Sequence, residues 1–448
     1  MCLDESRCQR AHQRNMYVLQ RWLVCTTALL ANLVVLGVMF SMGTLLSDIT
    51  TTFNVSRTDA ALVQTVAIVA GLCGGVFIGG LIHKFGERNV AVCLSFILST
   101  GVVISYFAMS IPFLMISIGL LGGTSGDGIY IAASAATGRH IHGKQGTFFV
   151  SVVNVGSGMG GVIFLYFFDY LTDRFGPRGT YLITGGILLN MIPFTLLWNS
   201  PTTKKLTKPK HVQNVCDDNA IEMESLTSVK SEVKPCYAGS DTLCVAFKKL
   251  VTDKVFVFFA FGLATAYSCV TVVNVVDALQ NSGLSQTNAT LGLLLLNISG
   301  IIGLPGSLIQ IKYVTVLTVP IIACIMIILS QLGITLLSSI TTNFLACILA
   351  GTAIGMLVSC FGVVTLKLVG IERHTNAMGI CLSLSGLTNA FMGQFGGWIR
   401  DKLGYYTIPC LLSASVEVLA IILLSIAQFY RSKYPKRLID ELKDVCAL

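Results

Sequence analysis

Twelve long apolar stretches alternate with polar ones along the 448-residue chain. They fall at about 22–46, 60–82, 90–109, 113–137, 148–168, 180–198, 255–276, 291–311, 314–337, 344–366, 377–398 and 406–429. Each is long enough to cross a hydrocarbon core of about 30 Å as a helix, which takes roughly 20 residues. Backbone polar groups find no partner in lipid, so a spanning segment must close its hydrogen bonds internally. No run shows the period-two alternation of a barrel strand. The pattern predicts an all-α membrane protein with twelve transmembrane helices.

Composition narrows the picture. Only 12% of the residues are charged and 54% are hydrophobic, against about 25% charged in an average soluble domain. So little charge cannot cover a soluble globule, and so much apolar content excludes a disordered chain. All 30 Lys and Arg fall in connections, tails or span ends, and so do 20 of the 22 carboxylates. Only Asp127 and Glu417 lie well inside spans. With the N-terminus in the cytoplasm, 25 of the 30 cations fall in inner segments and 5 in outer ones. The positive-inside bias therefore predicts that both termini are cytoplasmic. Anionic lipid of the bilayer is a sufficient partner for the net charge of +8, with no nucleic acid required.

Cysteine usage agrees. Nine of the 15 Cys lie in spans and the other six in segments assigned to the cytoplasm. That leaves no disulfide framework in an outer loop. No Cys/His cluster has metal-ligand spacing, so no metal and no cofactor is expected. The first 21 residues are polar and the first apolar run is too long for a signal h-region, so no cleavable signal is read.

The spans divide six and six. A cytoplasmic N-tail (1–21) leads into an N-terminal six-helix half (22–198). A polar linker (199–254) with Pro201, Pro209, Pro235 and a Lys cluster follows. A C-terminal six-helix half (255–429) and a cytoplasmic C-tail (430–448) complete the chain. The halves repeat one another. Asp173-Arg174-Phe175-Gly176 returns as Asp401-Lys402-Leu403-Gly404, 228 positions later. Gly79-Gly80-Leu81-Ile82 returns as Gly306-Ser307-Leu308-Ile309, 227 later, and Gly122 and Gly126 match Gly351 and Gly355, 229 later. Two parallel six-helix halves around a central cavity is the major facilitator fold. The loop Gly79-Gly80-Leu81-Ile82-His83-Lys84-Phe85-Gly86-Glu87-Arg88 resembles that superfamily's signature, with His83 where the signature has Asp. Small residues there would let spans two and eleven approach while charges latch the cytoplasmic side.

Three further segments resemble the animal monocarboxylate transporter family. They are Gly156–Gly160 with Asp173–Gly179 and Leu182–Asn190, then Leu368–Gly379, and Gly122–Gly126 with Tyr130. The resemblance implies secondary transport at the plasma membrane and a single-span immunoglobulin-like chaperone as partner. The departures bear on substrate. The span-one Lys of proton-coupled members falls near Phe40 and Ser41, and their span-eight Asp and Arg fall on Gly300 and Leu304. Their absence argues against lactate-type proton symport.

Asp127 is the most informative residue. An ionisable group at mid-bilayer costs a few kcal/mol and usually faces a cavity or a partner. No Lys, Arg or His lies inside a span to pair with it. It is a candidate proton carrier, or a receptor for a cationic or zwitterionic substrate or for Na⁺. A neutral Asp bonded to backbone is the bland alternative. Glu417 reads as a neutral acid packed against span eleven or near lipid. Tyr130, Asn154, Asn274 and Asn297 join Asp127 as coupling or substrate candidates, with Asn32, Tyr267 and Ser359 as further polar residues in spans. Each alone is more often an interhelical hydrogen bond than a substrate contact, and as a set they suit a small polar solute. Lys84, Arg88, Arg139, Glu372 and Arg373 are the cytoplasmic gate candidates.

The sequence thus predicts a secondary transporter of a small, monocarboxylate-like organic solute, working by alternating access with H⁺ or Na⁺ as coupling ion. A facilitator or cation-linked carrier of an amine, amino acid or other zwitterion is the alternative. A nontransporting sensor or scaffold is the reading from another class. No catalytic triad, zinc motif or phosphate loop is present, so the chain does not read as an enzyme.

Overall fold

The computed structural model describes residues 2–55, 57–141, 143–198, 250–267, 275–303, 315–337, 339–370, 373–404 and 407–433. Most of the linker, together with Asn274 and Glu372, lies outside the described residues.

Helices account for the described chain almost throughout. The first group comprises α1 (Cys2–Ser41), α2 (Leu46–Phe53), α3 (Arg57–Phe85), α4 (Glu87–Ile104), α5 (Ile111–His140), α6 (Gly143–Leu189) and α7 (Met191–Leu196). The second comprises α8 (Lys254–Ala266), α9 (Val275–Asn281), α10 (Gln286–Gly303), α11 (Thr318–Leu336), α12 (Ile340–Val369), α13 (His374–Leu403) and α14 (Thr407–Lys433). Among the described residues eight helical runs are long and apolar enough to cross a membrane. One of them, Phe148–Leu196, carries spans five and six together. Its two arms meet at Gly176, where φ of 68° falls in the left-handed region that glycine enters without a Cβ penalty. Pro177 follows with its φ preset for a new first turn. Span seven is helical over Lys254–Ala266 and span eight up to Gly303; residues 268–274 and 304–314 of these expected spans and their connection lie outside the described residues. Span eleven lies within α13.

Among those eight runs α5 has the lowest mean hydropathy, 1.2, and the most buried window, 67% against 39% for α3 and α14. A span with fewer apolar residues must be shielded from lipid by protein, so α5 sits at the centre. It contains a π-helical stretch, Met115–Gly122, one turn before Asp127.

Within the first group α1 packs along α6, and α5 packs along α1, α3 and α4. Buried Trp198 closes this group by donating its indole N–H to the Thr27 hydroxyl at 3.1 Å. In the second group α12 packs on α10 and α11, and α14 packs on α8 and α11. The two groups meet along α3 with α13, and along α6 with α10 and α12.

The internal repeat is visible in packing, with one correction. Gly123 of α5 lies against Ala67 of α3, and Gly351 of α12 lies against Leu296 of α10. Four residues on, Asp127 lies against Gly71 as Gly355 lies against Gly300. The equivalent of Gly355 is therefore Asp127 and not Gly126, an offset of 228 rather than 229. Gly126 faces Met39 and Val35 of α1 instead. Counting identical glycines misaligned the central helices by one residue, because the first half carries a carboxylate where the second has glycine.

Candidate functional site

The central site begins at Asp127. Its helix neighbours Ser125, Gly126, Gly128, Ile129 and Tyr130 are buried, while Asp127 itself is only partly so. The carboxylate leans on Gly71, where any larger residue would displace it. One turn on, Tyr130 interacts electrostatically with Asp127, and Tyr267 at the end of α8 interacts with both Tyr130 and Cys360 of α12. Tyr267 also meets Phe361 edge to face, with ring centroids 6.1 Å apart. The site therefore takes side chains from both helix groups. One carboxylate beside aromatic rings offers a cation both a countercharge and ring faces.

Asn154 lies at the α6–α12 contact. It is fully buried, its amide donates to the Val358 carbonyl at 3.4 Å, and its Oδ1 has no partner among the described residues. Its amide thus joins the two groups. Asn32 ties α1 to α6 by donating to the Val153 carbonyl at 3.3 Å. Asn297 is partly buried on α10. Glu417 is fully buried, but it faces α11 and not span eleven. Its carboxyl meets Cys324, and one turn earlier Ser413 accepts from Gln331 at 2.9 Å. This acid belongs to the α11–α14 seam, away from the central site.

The α3–α13 seam seals one end of the molecule. A Cβ on Gly79 would stand 2.7 Å from the Thr375 carbonyl oxygen, and one on Gly75 2.9 Å from that of Gly379. Side chains are therefore excluded and backbones touch. The Ser383 hydroxyl pins the contact, accepting from Val76 N–H and donating to the Cys73 carbonyl, both at 3.0 Å. Small residues at a helix crossing allow this approach.

A charged cluster sits at the sealed end. Glu87 opens α4 and Arg139 ends α5, so each charge complements its helix dipole. They pair at 2.9 Å with Glu87 fully buried. Beside them His140 is buried, its Nδ1–H donating to the Ala136 carbonyl at 2.8 Å. His374 and Thr375 are buried in the first turn of α13. Of the gate residues expected from sequence, Arg139 joins this cluster. Lys84 does not: it is exposed, with its ammonium 5.2 Å above the Phe85 ring. A lysine at a helix end reaches water at little cost, and here it does. Arg88 and Arg373 are partly exposed. Glu87 and His374 were both within quoted motifs, yet only their burial distinguishes them from solvated loop charges.

Replacing Glu87 with Gln should leave Arg139 facing a neutral amide at a buried position. The expected cost is about 1–3 kcal/mol. It would be read as a lower unfolding midpoint of the purified protein in detergent, and an unchanged midpoint would show the pair to be dispensable.

Comparison with known proteins follows the same lines. The Major Facilitator Superfamily profile matches residues 27–382. Monocarboxylate transporter 14 of Mus musculus is 23% identical, over 90% of this chain and 89% of its own. Monocarboxylate transporter 12 of Xenopus laevis is 25% identical, over 82% and 80%. Among solved structures, the proton:xylose symporter XylE bound to 6-bromo-6-deoxy-D-glucose superposes with a TM-score of 0.66 at 13% identity, covering 93% of this chain and 96% of that one. FucP in the outward conformation gives 0.63 at 12% identity, covering 92% and 99%.

Proposed function

The chain belongs to the Major Facilitator Superfamily, and from that premise we propose that it moves a small organic solute across the plasma membrane by alternating access. The observation that carries this reading is Asp127, partly open within the most buried span and linked through Tyr130 to Tyr267 of the second helix group. A solute held there would touch both groups, and a rocking motion about the α3–α13 seam would expose it to one side and then the other. The sealed end is the cytoplasmic one, because the loops at that end belong to the set carrying 25 of the 30 cations. Both termini and the 199–254 linker then face the cytoplasm.

The resemblance to monocarboxylate transporters supports a monocarboxylate-like solute, with H⁺ or Na⁺ taken up at Asp127 as the coupling ion. Proton occupancy of Asp127 would remove its repulsion of a carboxylate. The second reading, an amine or zwitterion, is favoured by a specific feature. An ionised Asp127 one turn from Tyr130 suits an ammonium group without any proton. A single-span immunoglobulin-like chaperone is a partner that the same resemblance supports.

The test is uptake into proteoliposomes of a labelled panel of short monocarboxylates, amino acids and amines at two pH values. Saturable uptake with counterflow is expected for one class. A panel with no uptake above protein-free vesicles would leave the sensor or scaffold reading in its place.

A further inference from the structure

His374 opens α13 at the seam where the two helix groups touch. It is 1% exposed, and neither ring nitrogen has a hydrogen-bond partner among the described residues. An imidazole in that position must be neutral. A proton would add a buried charge with no acceptor among the described residues to receive it. The surroundings oppose that charge further. The Arg139 guanidinium acts directly on His374, and Arg139 already holds Glu87 at 2.9 Å. The other titratable groups of the packed elements are His83 and Lys84 at the end of α3, Arg88 in the first turn of α4, and His140 beside Arg139. Lys367 ends α12 and Arg373 precedes α13. Among the described residues of this set Glu87 alone is acidic; Glu372, two residues before His374, lies outside them.

Burial and, second, the Arg139 charge push His374 down to about 4 in the sealed state, from an ordinary value of about 6.5. Separation of α13 from α3 and α5 would bring water to its first turn and restore ordinary imidazole behaviour. We propose that His374 is a proton-sensitive latch: the basic end stays shut while His374 is neutral, and protonation of His374 favours the state in which α13 parts from α3 and α5. This rests on the alternating-access reading and adds a regulator to it.

The sign follows from linkage. The group binds its proton more weakly in the sealed state, so sealing is fully favoured above about pH 6.5 and loses ground as pH falls toward 4. Between pH 7.5 and 5.5 the ratio of open to sealed molecules should rise about tenfold. An acidic cytoplasm would then hold the transporter open toward itself.

Spin labels on unnatural side chains at exposed Asn89 and Ser432 would report the separation of the two groups at this end. Pulsed distance measurements on the full chain in lipid nanodiscs, from pH 8 to 4.5, would follow it. The wild type should gain a longer-distance population at low pH, His374→Gln should lose that response, and His140→Gln should keep it. A pH-independent wild type overturns the latch, as does a wild-type response retained in His374→Gln. One distance at every pH, with and without transported solutes from the panel, would instead sink alternating access itself.

Discussion

Gly379→Val is expected to cut transport at least tenfold while leaving the chain in the membrane. Gly379 lies against the Gly75 carbonyl, and Gly75 lies against the Gly379 carbonyl. The contact is backbone on backbone, so no rotamer can relieve a side chain inserted there. Overpacking of this kind costs about 1–3 kcal/mol when the surroundings can shift. Here it falls entirely on the sealed conformation, because the seam is what that conformation adds. At about 1.4 kcal/mol per factor of ten, the sealed state should lose roughly one to two decades of population. Initial uptake normalised to membrane-inserted protein should fall at least tenfold, in line with the smaller population shift. Gly186 of α6 has open space where a Cβ would go, so Gly186→Val is the matched control and should transport normally. Equal uptake by both variants would mean that the α3–α13 seam is not part of the cycle.

Asp127→Asn is the second large effect, and its form separates the two substrate readings. The amide fits the same space against Gly71, so folding should be preserved. It carries no charge and titrates nowhere near neutrality. If Asp127 takes up the coupling proton, the variant should lose the pH dependence of uptake and the ability to concentrate solute, while counterflow survives. If Asp127 receives an ammonium group, the lost charge-assisted contact should raise KM at least tenfold at every pH. Asp127→Glu should not rescue fully, because its extra methylene has to enter a space bounded by the α3 backbone at Gly71. Unchanged uptake with an unchanged pH profile would remove Asp127 from the mechanism.

Much of the architecture was legible before any coordinates, for one physical reason. Lipid cannot satisfy a backbone amide, so each crossing advertises itself as a long apolar run. The superfamily profile and the monocarboxylate transporter relatives agree with the resemblance read from the glycine-rich segments. Asp127 was legible too, because charge within a span is rare. What stayed hidden depends on which residues meet. Arg139 was singled out as a gate candidate, but its partners Glu87 and His374 come from other helices, and in sequence each reads as an ordinary loop residue. Lys84 shares a motif with Glu87, yet one is exposed and the other buried. Glu417 turned out to face α11, because the neighbour of a peripheral helix is set by packing and not by its own periodicity. Asn274 and Glu372 lie outside the described residues.

The π-helical stretch of α5 has a mechanical consequence. One residue more separates Gly71 from Gly123 than separates Gly300 from Gly351. A π-turn holds one more residue than an α-turn, so Met115–Gly122 can store that surplus and let both glycines meet α3 and α10 alike. Its counterpart α12 is α-helical from Ile340 to Val369. The two halves share a fold but not a stiffness. A wide turn that migrates along a helix swings each residue it passes by about 100°, and here the slack is wound into the half that holds the carboxylate, one turn ahead of it.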